Sequence, residues 1–163
     1  MSQIESNSAA MLSLEDSEVQ DRNINLISND GKVFQISLKY ASISPVITEA
    51  FSCDQDTEDL PTSFSSVILG AIIDYFNMCK GQQMALVEKP LRSKIMSEVT
   101  DAESAAYMDT FVTNNSKQEL YNLISAANYF QIIPLLHLGC AKVAALIKGK
   151  PIDEIKSILL DQK

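Results

Sequence analysis

Residues 126–150 read AANYFQIIPLLHLGCAKVAALIKGK, and this stretch decides the fold of the second half of the chain. Pro134 disfavours helical geometry at Ile133, so we expect one helix to end near this position. Proline is favoured in the first turn of a helix, so Pro134 also opens the next helix, which Gly149 is suited to close. The stretch therefore predicts two consecutive helices with a short connection.

The second of these helices is too apolar for a helix with one buried face. At about 100° per residue its apolar positions cover an arc of roughly 220°, whereas an ordinary surface helix needs about 100°. One apolar side consists of Leu136, Cys140, Val143 and Ile147, and the other of Leu135, Leu138, Ala145 and Leu146. The remaining positions are His137, Ala141, Ala144 and Lys148. One apolar side can serve the core, so we expect the other to need a second cover.

Residues 151–160, PIDEIKSILL, predict a last helix, because proline suits its start and acidic residues suit its first turn. Its apolar stripe consists of Ile152, Ile155, Ile158 and Leu159. Two interpretations stay open. The stripe folds back on the domain, or it forms a groove with residues 136–147 that receives the helices of a partner.

Further helices have clear signals earlier in the chain. Ser116 and Glu119 form a capping box for the helix that runs into residues 126–133. Apolar residues recur at three and four positions between residues 62 and 80, and Gly81 suits the end of that helix. Ser42 or Ser44 can cap a short helix with Pro45 in its first turn.

The first half predicts a small sheet and several irregular segments. Asp30-Gly31 lies between two β-rich runs and predicts a hairpin. We expect residues 1–22 to be a disordered tail. Residues 53–61 are an acidic loop, which either binds a hard cation or is simply solvated. Residues 81–106 are interpreted as a flexible surface insertion with one marginal helical turn, and residues 107–112 as a docking segment or the approach to the next helix.

Composition and charge narrow the function classes. The chain has 163 residues, is 46% hydrophobic and carries a net charge of −8, which argues against nucleic acid as a main partner. The acidic amino terminus is not a signal peptide, and no apolar run is long enough to span a membrane. Three widely spaced cysteines fit reduced thiols, so we expect a cytoplasmic and nuclear protein.

Catalysis and metal binding have little support in the sequence. His137 is the only histidine, which excludes a site with several histidine ligands. His137 and Cys140 lie three apart on a helix and could meet, but a nucleophile pair also needs an orienting group and an oxyanion site. We therefore expect no catalytic residue, no metal and no cofactor.

The segments LISNDGKVFQI, LPTSFSSVILGAIIDYF and LYNLISAANYFQIIPLLHLGCAKVAALIKGKPIDEIK resemble the S-phase-kinase-associated protein (Skp) family, the adaptor subunits of SCF ubiquitin ligases. The resemblance extends from about residue 24 to 160. It implies an α+β chain: a BTB/POZ fold over residues 23–130, followed by a two-helix carboxyl-terminal extension over residues 131–163.

The resemblance also implies partners and their surfaces. The BTB/POZ part binds the amino-terminal domain of a cullin, and the extension binds the F-box of a substrate receptor. By position, Asn128 and Tyr129 face the cullin. The positions that match the F-box side are Leu136, Cys140, Val143, Ile147, Ile155, Ile158 and Leu159.

The sequence departs from the family in several places. Family members usually continue into an acidic stretch and a last helix that clasp the F-box, and this sequence stops at Lys163. We expect weaker or altered F-box binding from that difference. The family's Trp-Asp-x-x-Phe segment is matched loosely by residues 107–111, and residues 81–106 lack the usual strong acidity.

Three function classes follow from these observations. The first is a non-enzymatic adaptor that bridges a cullin and F-box proteins. The second is a BTB interaction protein that binds F-box proteins without a cullin, or associates weakly with itself when partners are absent. The third is an enzyme, for which the sequence offers no constellation of residues.

Overall fold

The fold is described from a computed structural model, which describes residues 22–54 and 56–160. The strands are β1 Asn23–Ile27, β2 Val33–Ser37 and β3 Asp59–Pro61. The helices are α1 Leu38–Ala41, α2 Pro45–Cys53, α3 Ser66–Cys79, α4 Ala102–Asn114, α5 Lys117–Tyr129, α6 Ile133–Ile147 and α7 Ile152–Leu160, with a 3-10 turn at Met96–Glu98. These elements make an α+β fold, as the sequence predicts.

The sheet has the strand order β2-β1-β3. β1 and β2 are antiparallel and pair Leu26 with Phe34, and Gly31 adopts a φ of 81° in the turn between them. The hairpin prediction at Asp30-Gly31 is therefore confirmed. β3 runs parallel to β1 and pairs Leu60 with Leu26. The prediction of an acidic loop over residues 53–61 was wrong at its end, since residues 59–61 gain backbone partners on β1.

The predicted tail over residues 1–22 lies outside the described residues except for Arg22. This residue belongs to the folded part, because its guanidinium group lies 5.4 Å from the centre of the Phe51 ring. Its Nη2 atom also donates a hydrogen bond to the Phe51 carbonyl oxygen at 3.1 Å.

α3 is the central helix of the core. Its N-cap is Ser65, whose side chain accepts from the amide of Ile68. Eight of its fourteen residues are buried. The two residues that follow the helix, Lys80 and Gly81, both have positive φ values. A β-carbon on Gly81 would lie 2.6 Å from the Lys39 carbonyl oxygen, so this end packs directly against α1.

The segment between α3 and α4 differs from the predicted surface insertion. Val87 and Met96 are buried in the core, and Leu91 packs against it. The 3-10 turn at Met96–Glu98 is the marginal turn that the sequence indicates. The segment packs against the domain because burial of these three apolar side chains removes apolar area from water.

Residues 107–112 are the second half of a regular helix rather than a short docking segment. α4 begins with Asp101 as its N-cap, whose carboxylate accepts from the amide of Ser104 at 2.8 Å. Met108 and Phe111 on this helix are buried. The sequence interpretation missed α4 because its apolar periodicity is weak and the cap at Asp101 went unrecognised.

α5, α6 and α7 follow in the order that the sequence predicts. The Ser116 side chain accepts from the amide of Glu119, so this half of the predicted capping box is confirmed, while the Glu119 carboxylate accepts from the Asn122 side chain. α5 and α6 pack closely, and a β-carbon on Gly139 would lie only 2.6 Å from Cγ1 of Ile124. Across α4 and α6, Lys142 pairs with Asp109 at 2.6 Å.

Candidate protein-interaction surface

An exposed aromatic corner lies between α5 and α6. Tyr129 is 57% exposed, and Ile133, four residues later, is 44% exposed. The Tyr129 ring packs edge-on against Phe64 at 5.4 Å and against the buried Phe130 at 5.1 Å. Asn128 beside it is also exposed. The two residues predicted to face a cullin therefore lie together at the surface.

The backbone of this corner is held firmly from below. Ser44, the N-cap of α2, is buried and donates a hydrogen bond from Oγ to the Phe130 carbonyl oxygen at 2.6 Å. The same hydroxyl group accepts from the amide of Ile47 at 3.3 Å. A preorganised surface loses little conformational freedom when it binds a partner.

The residues predicted to face an F-box divide into three groups. Leu136 and Val143 pack against the hydrophobic core. Cys140 and Leu159 are exposed. The third group is half-buried and consists of Ile147, Ile155 and Ile158.

The prediction of two apolar sides on α6 is confirmed for the side that serves the core, and the other side is covered only in part. Leu135, Leu138 and Ala145 are buried, and Leu136, Val143 and Leu146 are partly buried against the core. The neighbouring helix α5 contacts α6 most extensively, and α4 and α7 also contact it. The exposed apolar ridge of α6 is narrower and contains Ile133 and Cys140.

Both interpretations of the last apolar stripe apply in part to α7, which folds back on the domain and also leaves apolar side chains exposed. The Tyr121 hydroxyl group on α5 donates to the Ile158 carbonyl oxygen at 3.3 Å, so the helix folds back on the domain. Nevertheless no residue of α7 is buried, and Ile152 and Leu160 are 63% and 72% exposed. The helix is thus docked by an edge and presents apolar side chains to solvent.

The sequence interpretation missed some members of this surface. Ile133 and Leu160 were not assigned to either partner, although both are large, apolar and exposed. Ile133 precedes Pro134 in the first turn of α6, and that position could have signalled a side chain outside the core.

Ionisable groups in the core do not suggest reaction chemistry. Burial raises the pKa of the Cys79 thiol to about 11, so this group stays protonated at neutral pH. Burial also raises the pKa of Tyr107, whose hydroxyl group donates to the Ala71 carbonyl oxygen at 2.8 Å. Across residues 22–54 and 56–160, His, Cys, Asp and Glu side chains form no cluster of three or more that could hold a metal ion.

The helices of the described region are all too short or too polar to cross a bilayer.

Comparisons with known proteins agree with this picture. The family model described as "Skp1 family, tetramerisation domain" matches residues 22–80. The S-phase kinase-associated protein 1 homolog of Tetrahymena thermophila is 32% identical over 134 residues, which cover 82% of this chain and 78% of that protein. SKP1-like protein 13 of Arabidopsis thaliana is 33% identical over 136 residues, with coverage of 82% and 81%. The SCF ubiquitin ligase complex protein SKP1b of Dictyostelium discoideum is 30% identical over 138 residues, with coverage of 83% and 81%.

Proposed function

This chain belongs to the Skp1 family, and from that premise we propose that it is a non-enzymatic adaptor subunit of an SCF-type ubiquitin ligase. In this role it holds a cullin scaffold and an F-box substrate receptor together for ubiquitin-dependent protein degradation. Relatives named as subunits of SCF ubiquitin ligase complexes support the proposal.

The observation that carries the proposal is the placement of two exposed apolar surfaces at opposite ends of one helix. Tyr129 ends α5 and Ile133 begins α6, whereas Ile147 is the last residue of α6, close to α7. At 1.5 Å per residue, the fourteen steps from residue 133 to residue 147 span about 21 Å. A bridging protein needs two such surfaces far enough apart that two partners can bind together.

We assign the aromatic corner with Ile133 to the cullin, and the part of α6 that contains Cys140 and Ile147, together with α7, to the F-box. The aromatic corner offers a large exposed ring on a fixed backbone, which is typical of residues that dominate binding energy. The second surface offers apolar side chains on two helices, which suits a partner that inserts its own amphipathic helices.

A binding experiment with single and combined partners tests this assignment. The purified chain is mixed with a cullin amino-terminal domain, with an F-box domain, and with both. We expect a ternary complex. Binding of the F-box domain alone would favour the alternative of an F-box-binding protein without a cullin, and binding of neither partner would contradict the proposal.

Two substitutions separate the two surfaces, and each serves as the control for the other. Ile147→Asp places a carboxylate at the F-box surface, which should cost about 1–3 kcal/mol and weaken F-box binding roughly tenfold to a hundredfold. Tyr129→Ala removes the exposed ring and should weaken cullin binding by about 2 kcal/mol. Calorimetry with each partner checks the assignment, and a crossed pattern of losses would overturn it. Val143→Asp is less informative, since Val143 packs against the core and its loss would also disturb folding.

A further inference from the structure

The connection between α6 and α7 lies in an exposed basic patch, which consists of Lys94, Lys148 and Lys150. Lys148 and Lys150 belong to the connection itself, and Lys94 belongs to the segment between α3 and α4. A β-carbon on Gly149 would lie 3.3 Å from Nζ of Lys94, so the Lys94 side chain lies directly against the connection. Residues that are distant in sequence thus place their charges together.

The basic patch is fixed to the domain by contacts on both sides. Lys148 donates a hydrogen bond from Nζ to the Leu91 carbonyl oxygen at 2.9 Å, which ties the end of α6 to the segment that carries Lys94. Leu91 packs against the core, and Met96 is buried in it. A surface that is already ordered loses little conformational freedom when a ligand binds.

Acidic neighbours balance the basic patch only in part. Glu154 pairs with Lys150 at 3.0 Å. Within the described residues, Lys94 and Lys148 form no salt bridge. Residues 133–160 contain four lysines against two acidic residues, whereas the whole chain has a net charge of −8. This end of the domain is therefore positive on a protein that is otherwise acidic.

Exposed isoleucines flank the basic patch. Ile95 follows Lys94 and is 55% exposed, and Ile152 lies two positions after Lys150 and is 63% exposed. Ile152 also begins α7, whose last residue, Leu160, is 72% exposed. Lysines beside apolar side chains suit an acidic segment that carries apolar residues of its own.

The first 21 residues of this chain have that composition. They read MSQIESNSAAMLSLEDSEVQD and contain five acidic residues and no lysine or arginine. The apolar residues Met11, Leu12 and Leu14 directly precede the acidic run EDSE at residues 15–18. Acidic and apolar groups therefore occur together within eight residues, as the basic patch and its isoleucines require of a ligand.

The amino-terminal segment is also long enough to extend across the domain. It joins the described residues at Arg22, which is fixed against Phe51 of α2. Met11 lies eleven residues before Arg22, and an extended chain of that length spans up to about 36–40 Å. A compact domain of about 140 residues is roughly 37 Å across. The segment therefore has the length that a contact with a distant surface of the same domain needs.

We propose that residues 1–21 dock on the basic patch of the same chain, with the acidic run against the lysines and the preceding apolar residues against Ile95 and Ile152. The excess of acidic residues elsewhere on the domain disfavours other positions for this segment, because like charges repel. The docking itself does not depend on the proposed function. Its expected consequence does, because the docked segment competes with an F-box for α7.

Substitutions in the amino-terminal segment of the full chain test the docking, and they lie outside the described domain. One variant combines Glu15→Gln, Asp16→Asn and Glu18→Gln, and two-dimensional ¹⁵N amide spectra compare it with the natural chain. We expect the resonances of Lys94, Gly149 and Lys150 to shift. Unchanged resonances at these residues overturn the proposal.

A second variant controls for net charge. It combines Glu49→Gln, Asp56→Asn and Glu58→Gln, which remove the same charge from exposed positions around α2 and β3. We expect the resonances of the basic patch to stay in place in this variant. Equal shifts in the two variants overturn the proposal, because they would report the change in net charge alone.

Dilution identifies the chain that supplies the segment. Docking within one chain does not depend on protein concentration, since the segment is linked to its site. We therefore expect the resonances of the basic patch to be the same over a tenfold dilution of the natural chain. Resonances that move on dilution would assign the segment to a second copy and overturn docking within one chain.

Calorimetry with an F-box domain tests the competition. A segment that is docked about two-thirds of the time lowers the apparent affinity about threefold, so we expect the variant at residues 15, 16 and 18 to bind about threefold more tightly than the natural chain. Equal affinities contradict the competition. If the F-box domain binds neither chain, the proposed function fails, whereas the amide spectra still decide the docking.

Discussion

α3 and α7 carry similar apolar residues but use them in opposite ways. α3 buries Leu69, Ile72 and Phe76 completely between the sheet and the later helices. α7 buries none of its nine residues, although its sequence contains three isoleucines and two leucines. Apolar content alone therefore does not distinguish a buried helix from an exposed one. What differs is the number of elements within the described part of the chain that pack against each helix.

The two helices are also held in place by different forces. α3 is fixed mainly by the apolar area that it removes from water, which is the dominant stabilising contribution in folding. α7 depends on local and edge contacts. They include an exposed ion pair between Lys150 and Glu154 at 3.0 Å and the hydrogen bond from Tyr121. An exposed ion pair contributes only about 0.2–1 kcal/mol.

The largest expected effect comes from a truncation in α3. Phe76 is fully buried, so Phe76→Ala should lower the free energy of unfolding by about 3–5 kcal/mol. Ile152→Ala on α7 is the control and should change it by less than about 0.5 kcal/mol, because Ile152 is 63% exposed. Urea denaturation measures both values. Similar losses for the two variants would break the comparison between the helices.

An intermediate effect on the free energy of unfolding is expected where α5 packs against α6. Gly139→Ala would bring a β-carbon within 2.6 Å of Ile124, and we expect a loss of about 1–2 kcal/mol. The better helix propensity of alanine offsets part of the strain. Chemical denaturation measures the loss in the natural background and in Ile124→Ala. If the cost of Gly139→Ala is the same in both backgrounds, the close contact is not its cause.

The smallest effect is expected at the edge of α7. Tyr121→Phe removes the hydroxyl group that donates to Ile158, and hydrogen exchange of the α7 amides should become about two- to threefold faster. The global free energy of unfolding should stay within about 0.5 kcal/mol. Tyr129→Phe, on the same helix and exposed, is the matched control. Faster exchange throughout the domain would show that α7 unfolds together with the core and would weaken the distinction.

Sequence reasoning predicted most of the helices because their ends carry strong local signals. Ser116, Pro134 and Pro151 act on the backbone nearest to them, so each effect can be derived without knowledge of the rest of the fold. The turn at Gly31 was predictable for the same reason, since a positive φ is a local requirement. These features account for the hairpin and for the order of the last three helices.

The missed features depend on contacts between distant residues. β3 contains Asp59 and Pro61, which have low strand propensity, and it exists because Leu60 pairs with Leu26. Segment 87–91 has no periodic pattern, and it lies beside Ala141 and Ala144 of α6 with Val87 buried in the core. Such placements follow from packing between elements, which a pattern within one segment does not encode.

The exposure of the candidate residues was predicted better for the aromatic corner than for α6. Tyr129 was selected through the family resemblance and is exposed, while its contact with a cullin stays a prediction. For α6 the same reasoning selected Leu136 and Val143, which the core partly covers. Helical periodicity assigns residues to a side of the helix, but it does not say whether that side meets a neighbouring helix of the same chain or solvent.

The hydrogen bond from Ser44 to Phe130 limits how early the first half of the chain can complete its folding during synthesis on the ribosome. The two residues are 86 positions apart, so α2 cannot gain this contact until α5 has emerged. At synthesis rates of about 5–20 residues per second, that delay is roughly 4–17 s. During this time apolar residues of the first half lack their final neighbours. We therefore expect newly made chains to be most vulnerable to chaperone capture and proteolysis in the interval before residue 130 emerges from the ribosome.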